Sequence, residues 1–146
     1  MAELVLLLPM LLLIAAAVID LRTREIPDGI SIAVLLTAVG AACFGWVGIR
    51  WWMVVSGAVL GLVIGYLLFR FAKFGGGDAK LIAAVGAFLG PVGLLTMLFW
   101  MASAGGVLAL IAMARGQRDY AYGPAVAAGY LAYLVWPVGL FQRLFS

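Results

Sequence analysis

Long apolar runs separated by short polar stretches are the feature that most restricts how this chain can fold. Of its 146 residues, 67% are hydrophobic and only 10% are charged, whereas a soluble domain is about half apolar and about a quarter charged. With so few charged side chains, the outer surface must face something other than water. The composition excludes most soluble enzymes and nucleic-acid-binding modules and predicts an all-α, polytopic membrane protein in the lipid bilayer.

The apolar runs predict where the chain crosses the membrane. At about 20 residues per crossing, the sequence accommodates about six transmembrane helices in a single integral-membrane domain, residues 1–146. The fourth and fifth segments share one apolar run, which we divide at Gly90-Pro91 because proline interrupts helices. The predicted segments are residues 4–19, 30–47, 51–69, 78–89, the part after Pro91 up to 113, and 122–141.

Basic residues predict the orientation, because cytoplasmic loops retain Lys and Arg. With six crossings, seven basic residues fall on one side and two on the other. This distribution places the larger group in the cytoplasm and both termini outside. The short fourth segment decides how the basic residues are distributed, since without that crossing six would lie on one side and three on the other. The larger group is Arg22, Arg24, Arg70, Lys73, Lys80, Arg115 and Arg118, and the smaller is Arg50 and Arg143.

The absence of histidine and the presence of one cysteine, Cys43, restrict the chemistry available to the chain. They exclude a Ser-His-Asp hydrolase, a His-ligated zinc protease and a site built from a cysteine cluster. Catalysis would have to use carboxylates, Lys, Tyr, Ser or backbone groups. Such chemistry requires no cofactor and no metal.

Two of the six acidic residues, Asp20 and Asp78, lie at predicted membrane boundaries. An ionisable group costs free energy there and is a functional candidate by default. Asp20 follows the first span and Asp78 begins the fourth segment, so two spans separate them and both face the cytoplasm. The other four are interpreted as two solvated charges, Glu3 and Glu25, and two helix N-caps, Asp28 and Asp119.

Two carboxylates that meet on one face of a helix bundle can act as an acid and a base. Like charges repel in a poorly hydrated site, so a close pair holds one shared proton near neutral pH. One carboxylate can then take a proton from water while the other gives a proton to a substrate carbonyl.

Glycines before Asp78 and within the third span point to close approaches of the backbone. Gly75, Gly76 and Gly77 would let a substrate strand come near, although a flexible turn explains them equally well. Lys80 either extends to the lipid headgroups or holds this loop. In the third span, residues 57, 61 and 65 are glycines and form a small-xxx-small face, which we interpret as packing within the chain rather than as a dimer interface.

Three motifs resemble those of a known family. Residues 75–78, Gly-Gly-Gly-Asp, resemble the GxGD motif of intramembrane aspartyl proteases, and the continuation through Lys80 resembles type IV prepilin peptidases. Residues 19–28, Ile-Asp-Leu-Arg-Thr-Arg-Glu-Ile-Pro-Asp, resemble the motif of that family's first aspartate. Residues 122–125, Tyr-Gly-Pro-Ala, resemble the element that opens its last span. Three motifs in this order are far more specific than any one of them.

The resemblance implies a membrane-embedded aspartic endopeptidase with Asp20 and Asp78 as its catalytic residues. Its substrate would be a prepilin or pseudopilin in the inner membrane, in which a hydrophobic helix follows a short, basic leader. Cleavage would fall at the cytoplasmic face, after the glycine that ends the leader. Because the predicted cytoplasmic face is itself basic, Asp28, Glu25 or lipid headgroups would have to offset that charge. The oligomeric state stays open. The resemblance also suggests a set of substrate-binding or loop residues: Pro27, Asp28, Gly75, Gly76, Gly77, Lys80, Gly123 and Pro124.

The long bacterial members of that family carry paired Cys-x-x-Cys motifs, which are linked to N-methylation of the cleaved pilin. This sequence lacks those motifs. It therefore resembles the short, peptidase-only form that serves tight-adherence (Flp) pili, to which enzymes processing archaeal preflagellins are related. Methylation is not expected of it.

Two functions of other classes compete with this interpretation. A small transporter or proton channel could use Asp20 and Asp78 as a relay, but it would place acidic residues deep within the spans, where the sequence has none. A non-catalytic membrane scaffold could be built on the glycine-rich faces, but it gives no reason for two aspartates at matching boundaries.

Single-cysteine variants test the predicted topology. In a Cys43→Ser background, we expect a cysteine at Arg24 or Arg118 to react with a membrane-impermeant maleimide only from the cytoplasmic side. A cysteine at Arg50 should react only from outside, because it lies in an external turn. External labelling at position 118 would contradict the six-span arrangement.

Overall fold

The computed structural model describes residues 2–23, 25–45, 48–72, 75–116 and 123–135. These parts of the chain contain five α-helices and no strand, which confirms the all-α prediction. The helices are α1 (Ala2–Thr23), α2 (Asp28–Cys43), α3 (Trp51–Ala72), α4 (Gly76–Ala114) and α5 (Gly123–Val135).

The longest helix, α4, is bent sharply at Gly90. That residue has φ 71° and ψ 177°, a positive φ that glycine adopts at little cost, and Pro91 follows it. Gly86 lies against the side chain of Leu94, whereas positions that far apart on a straight helix would be separated by about 12 Å. The division predicted at Gly90-Pro91 is therefore present, and we call residues 76–89 the first limb of α4 and residues 91–114 its second limb.

The lengths of the helices show which of them are long enough to cross a membrane. Within the described residues, α3 and α4 are long and apolar enough to cross a membrane, and α2 and residues 125–135 are shorter apolar helices. Many large apolar side chains face outward, among them Phe71, Val107 and Leu110, as expected for a surface in contact with lipid. The chain is a helical membrane protein. Six crossings and external termini stay predictions.

The first helix ends later than predicted. The first span was expected to end at Ile19, but α1 continues to Thr23, so Asp20 lies inside the helix. The Thr23 hydroxyl is within hydrogen-bond distance of the carbonyl oxygens of Ile19 (3.0 Å) and Glu25 (3.1 Å). These contacts tie the last turn of the helix to the loop that follows it.

The prediction that Asp28 caps α2 is wrong. Pro27 occupies the N-cap position, and no side chain makes a capping hydrogen bond there. Asp28 is the first residue of the helix, and its carboxylate instead binds Lys80. Asp119, the other predicted cap, lies outside the described residues.

The glycine face of α3 packs against the first limb of α4. A Cβ atom on Gly57 would overlap the backbone of Gly86, and one on Gly61 would lie 2.7 Å from the carbonyl oxygen of Ile82. A Cβ atom on Gly65 would lie 2.7 Å from the carbonyl oxygen of Ala79. The two backbones are thus in direct contact over about two turns of α3, as a small-xxx-small face allows. This confirms the interpretation as packing within one chain.

An added methyl group at this contact tests its importance. We expect Gly61→Ala to destabilise the protein by about 1–3 kcal/mol, because overpacking forces the two backbones apart. The measurement is thermal unfolding of the purified protein in detergent micelles.

Gly40→Ala is the matched control, since a Cβ atom at Gly40 meets nothing within 4 Å. It should leave stability unchanged or raise it by up to about 1 kcal/mol, because alanine favours helix over glycine. Equal melting temperatures for both variants would contradict the packing described here.

Candidate active site

Asp20 is placed by the packed face of α1. The buried residues of this helix recur every three or four positions, at Leu13, Ala16, Ala17 and Asp20, which is the period of one helix face. Asp20 continues that face toward the end of the helix and is only 5% exposed. The same packing that buries the apolar side chains therefore carries the carboxylate into the interior.

Asp78 is placed in the same way by the first limb of α4. Gly75 is the N-cap of α4, so Asp78 lies in its first turn. Leu81, Ile82 and Val85 follow at helical spacing and are completely buried, and Asp78 itself is 6% exposed. The contact of α3 with this limb fixes its position relative to the rest of the bundle.

The two oxygens of the Asp78 carboxylate have different surroundings. The backbone amide of Gly75 donates a hydrogen bond to the carboxylate, as an acid in the first turn of a helix does in a capping box. The oxygen Oδ1 is buried and has no hydrogen-bond partner within the described parts of the chain. One side of the carboxylate is thus oriented by the helix terminus, and the other is enclosed by the surrounding chain.

Asp20 and Asp78 line the same cavity, which has a volume of about 230 Å³. The end of α1, the loop before α2 and the beginnings of α2 and α4 form its walls. The two carboxylates interact electrostatically across it. The structure thus brings together residues that are 58 positions apart in the sequence. The lining residues are Asp20, Glu25, Ile26, Asp28, Gly75, Gly76, Gly77 and Asp78.

Within the glycine triplet, Gly77 is the position where a side chain would not fit. A Cβ atom there would lie 2.8 Å from the carbonyl oxygen of Ile26 and 3.1 Å from its Cβ atom. A Cβ atom on Gly76 would meet nothing within 4 Å. The requirement for glycine at position 77 therefore comes from the close approach of the Ile26 loop, which closes one wall of the cavity.

Lys80 joins the beginnings of α2 and α4. Its Nζ atom donates a hydrogen bond of 2.7 Å to Oδ2 of Asp28. Of the two roles considered for Lys80, this contact corresponds to holding the loop. Both side chains are more than half exposed, so the ion pair contributes about 0–1 kcal/mol to stability. Lys80 is not among the residues that line the cavity of the aspartates.

The remaining predicted site residues lie at helix starts. Pro27 is exposed and precedes α2, between two residues that line the cavity. Gly123 and Pro124 are the first two residues of α5, as expected for the element that opens the last helix. Their side-chain surroundings lie outside the described residues, and their role in substrate binding stays a prediction.

Two lining residues, Glu25 and Ile26, were not among the predicted site residues. Glu25 was interpreted as a solvated loop charge; it is exposed, but it borders the cavity. Ile26 is buried against Gly77. Both belong to the motif at residues 19–28, and their position between Asp20 and Asp28 was the signal that could have included them.

Comparison with known proteins identifies the family. The model of the type IV leader peptidase family matches residues 7–110, and the chain belongs to this family. The chain is similar to a prepilin leader peptidase/N-methyltransferase of Burkholderia pseudomallei strain 1026b, with 32% identity over 137 residues, which cover 84% of this chain and 43% of that protein.

Two further relatives agree with this assignment. A prepilin leader peptidase/N-methyltransferase of Neisseria gonorrhoeae is 32% identical over 130 residues, 78% of this chain and 42% of that protein. A type 4 prepilin-like proteins leader peptide-processing enzyme of Escherichia coli O78:H11 is 31% identical over 131 residues, 82% of this chain and 47% of that protein. The chain thus spans less than half the length of these relatives. No solved structure matches it.

The contact between Gly77 and the Ile26 loop generates a prediction for the site. We expect Gly77→Ala to destabilise the protein by about 1–3 kcal/mol, because the added methyl group forces the Ile26 loop away from the start of α4. The measurement is thermal unfolding of the purified protein in detergent micelles.

Gly76→Ala is the matched comparison in the same turn. Its methyl group has open space, so its effect on the free energy of unfolding should be several-fold smaller. Equal losses in the two variants would mean that the approach of the Ile26 loop does not shape the site.

Proposed function

We propose that this chain is a membrane-embedded aspartic endopeptidase that removes the N-terminal leader of type IV prepilins or pseudopilins. Asp20 and Asp78 are its catalytic pair. The observation that carries the proposal is that these two buried carboxylates line one small cavity in a chain of the type IV leader peptidase family. The residues 1–146 act as one domain in this reaction.

The chemistry follows from two carboxylates that share one proton. The ionised aspartate takes a proton from a water molecule, and the water oxygen forms a bond to the carbonyl carbon of the scissile peptide. The protonated aspartate gives its proton to the carbonyl oxygen. When the tetrahedral intermediate collapses, the C–N bond breaks and a proton passes to the leaving nitrogen.

The charge of the cavity fits a basic leader peptide. Glu25 and Asp28 line it together with the two buried aspartates, so four carboxylates surround the space. In the predicted orientation the cavity opens at the cytoplasmic face of the inner membrane. The lining acids would offset the basic residues of that face and attract the positively charged leader.

A transporter or proton channel is less well supported. A relay through the bilayer needs ionisable groups at several depths, whereas Asp20 lies in the last turn of α1 and Asp78 in the first turn of α4. The described part of the chain thus places both acids at one end of the bundle, which suits a reaction at a membrane face.

Conservative substitution of each aspartate tests the catalytic pair. We expect Asp20→Asn and Asp78→Asn each to lower prepilin cleavage at least about a thousandfold, because catalytic groups that act as a unit fail together. Cleavage is followed by the mobility shift of a co-expressed prepilin, and membrane extraction verifies that each variant is inserted.

Asp28→Asn is the matched comparison, since it changes a carboxylate in the same cavity. Asp28 is more than half exposed and paired with Lys80, so its loss should lower the rate by no more than several-fold. Normal cleavage by either Asp20→Asn or Asp78→Asn would refute the catalytic pair, and complete loss in Asp28→Asn would assign Asp28 to the chemistry.

A further inference from the structure

A second cavity adjoins the one that holds the aspartates. It is a groove between α2, α3 and the first limb of α4, with a volume of about 420 Å³, and we call it the α2–α3 groove. The helices α2 and α3 both pack on α4 but make few contacts with each other, which leaves the groove between them. Its floor contains small residues such as Ala83 and Ala84, and its walls contain Leu35, Val59 and Leu62.

We propose that the α2–α3 groove binds the apolar segment of the substrate that follows the cleavage site. This proposal rests on the proposed peptidase function and adds the surface that positions the substrate. An apolar helix that inserts its side chains into such a groove is a recurring mode of recognition.

The position of the groove favours this occupant. Asp28 lines both the groove and the cavity of the aspartates, and Lys80, its ion-pair partner, lines the groove. A peptide whose scissile bond lies between Asp20 and Asp78 can therefore continue past Asp28 into the groove. The polar mouth and apolar interior match a substrate that passes from a charged leader to an apolar segment.

Filling the groove tests the proposal. Leu62→Trp places a larger side chain in the groove, while Leu67→Trp, the matched control, lies five residues later and about 140° around α3. Both leucines are about half exposed, and Leu67 is not a lining residue of the groove. Each purified variant is assayed on a full prepilin and on a soluble peptide that contains the leader but lacks the apolar segment.

We expect Leu62→Trp to raise KM for the full prepilin at least about tenfold while cleavage of the soluble peptide is unchanged, because only ground-state binding of the apolar segment is lost. Leu67→Trp should behave like the unsubstituted enzyme on both substrates.

Direct contact is tested by crosslinking in a Cys43→Ser background. A cysteine at Leu35 should form a disulfide with a cysteine in the apolar segment of an uncleaved prepilin, and a cysteine at its neighbour Leu36, which does not line the groove, should not. Disulfides between two copies of the Leu35→Cys chain, with none to prepilin, would assign the groove to a second copy and overturn the proposal.

Two kinetic results would also overturn it. An unchanged KM of folded Leu62→Trp for the full prepilin would exclude docking in the groove and leave the catalytic pair intact. Equal losses on both substrates would show that the groove does not act through the apolar segment. A wrong function can be distinguished from a wrong groove. Normal cleavage by Asp78→Asn would refute the proposed peptidase mechanism, whatever the results for the groove variants.

Discussion

Direct contact between the backbones of α3 and the first limb of α4 is the constraint on which the rest of the structure depends. Gly57, Gly61 and Gly65 allow an approach that any side chain would prevent, and this approach fixes the limb that carries Asp78. In a bilayer, such packing replaces the hydrophobic effect as the force that brings helices together. Gly77 extends the same principle into the site, because it admits the Ile26 loop against the start of α4.

The carboxylates are buried because each continues an apolar face. Asp20 occupies the position that the helical period of α1 assigns to the interior, and Asp78 does the same on α4. Burial of two acids in one cavity is costly, and catalysis is a function that accounts for this cost. The Gly75 amide orients one side of the Asp78 carboxylate and leaves Oδ1 without a partner in the described chain.

Much of the fold and of the site could be predicted from the sequence. Apolar runs and composition indicated the helices, and proline and glycine indicated the bend at Gly90. The membrane boundaries and the motifs singled out the two acids that line one cavity. The role of Asp28 was missed, because an acid at a helix start is equally suited to capping and to an ion pair, and only the position of Lys80 decides. The sequence could not show that position 77, and not position 76, requires glycine. The approach of Ile26 is a tertiary contact that leaves no signal in the local sequence.

The most direct test of the central claim is binding of a non-hydrolysable analogue. A leader peptide in which a hydroxyethylene group replaces the scissile bond mimics the tetrahedral intermediate, and its hydroxyl should lie between Asp20 and Asp78. We predict that its Kd rises at least about a hundredfold in Asp20→Asn and in Asp78→Asn, because such analogues bind through transition-state contacts. Equal Kd values for the unsubstituted protein and both variants would contradict the account.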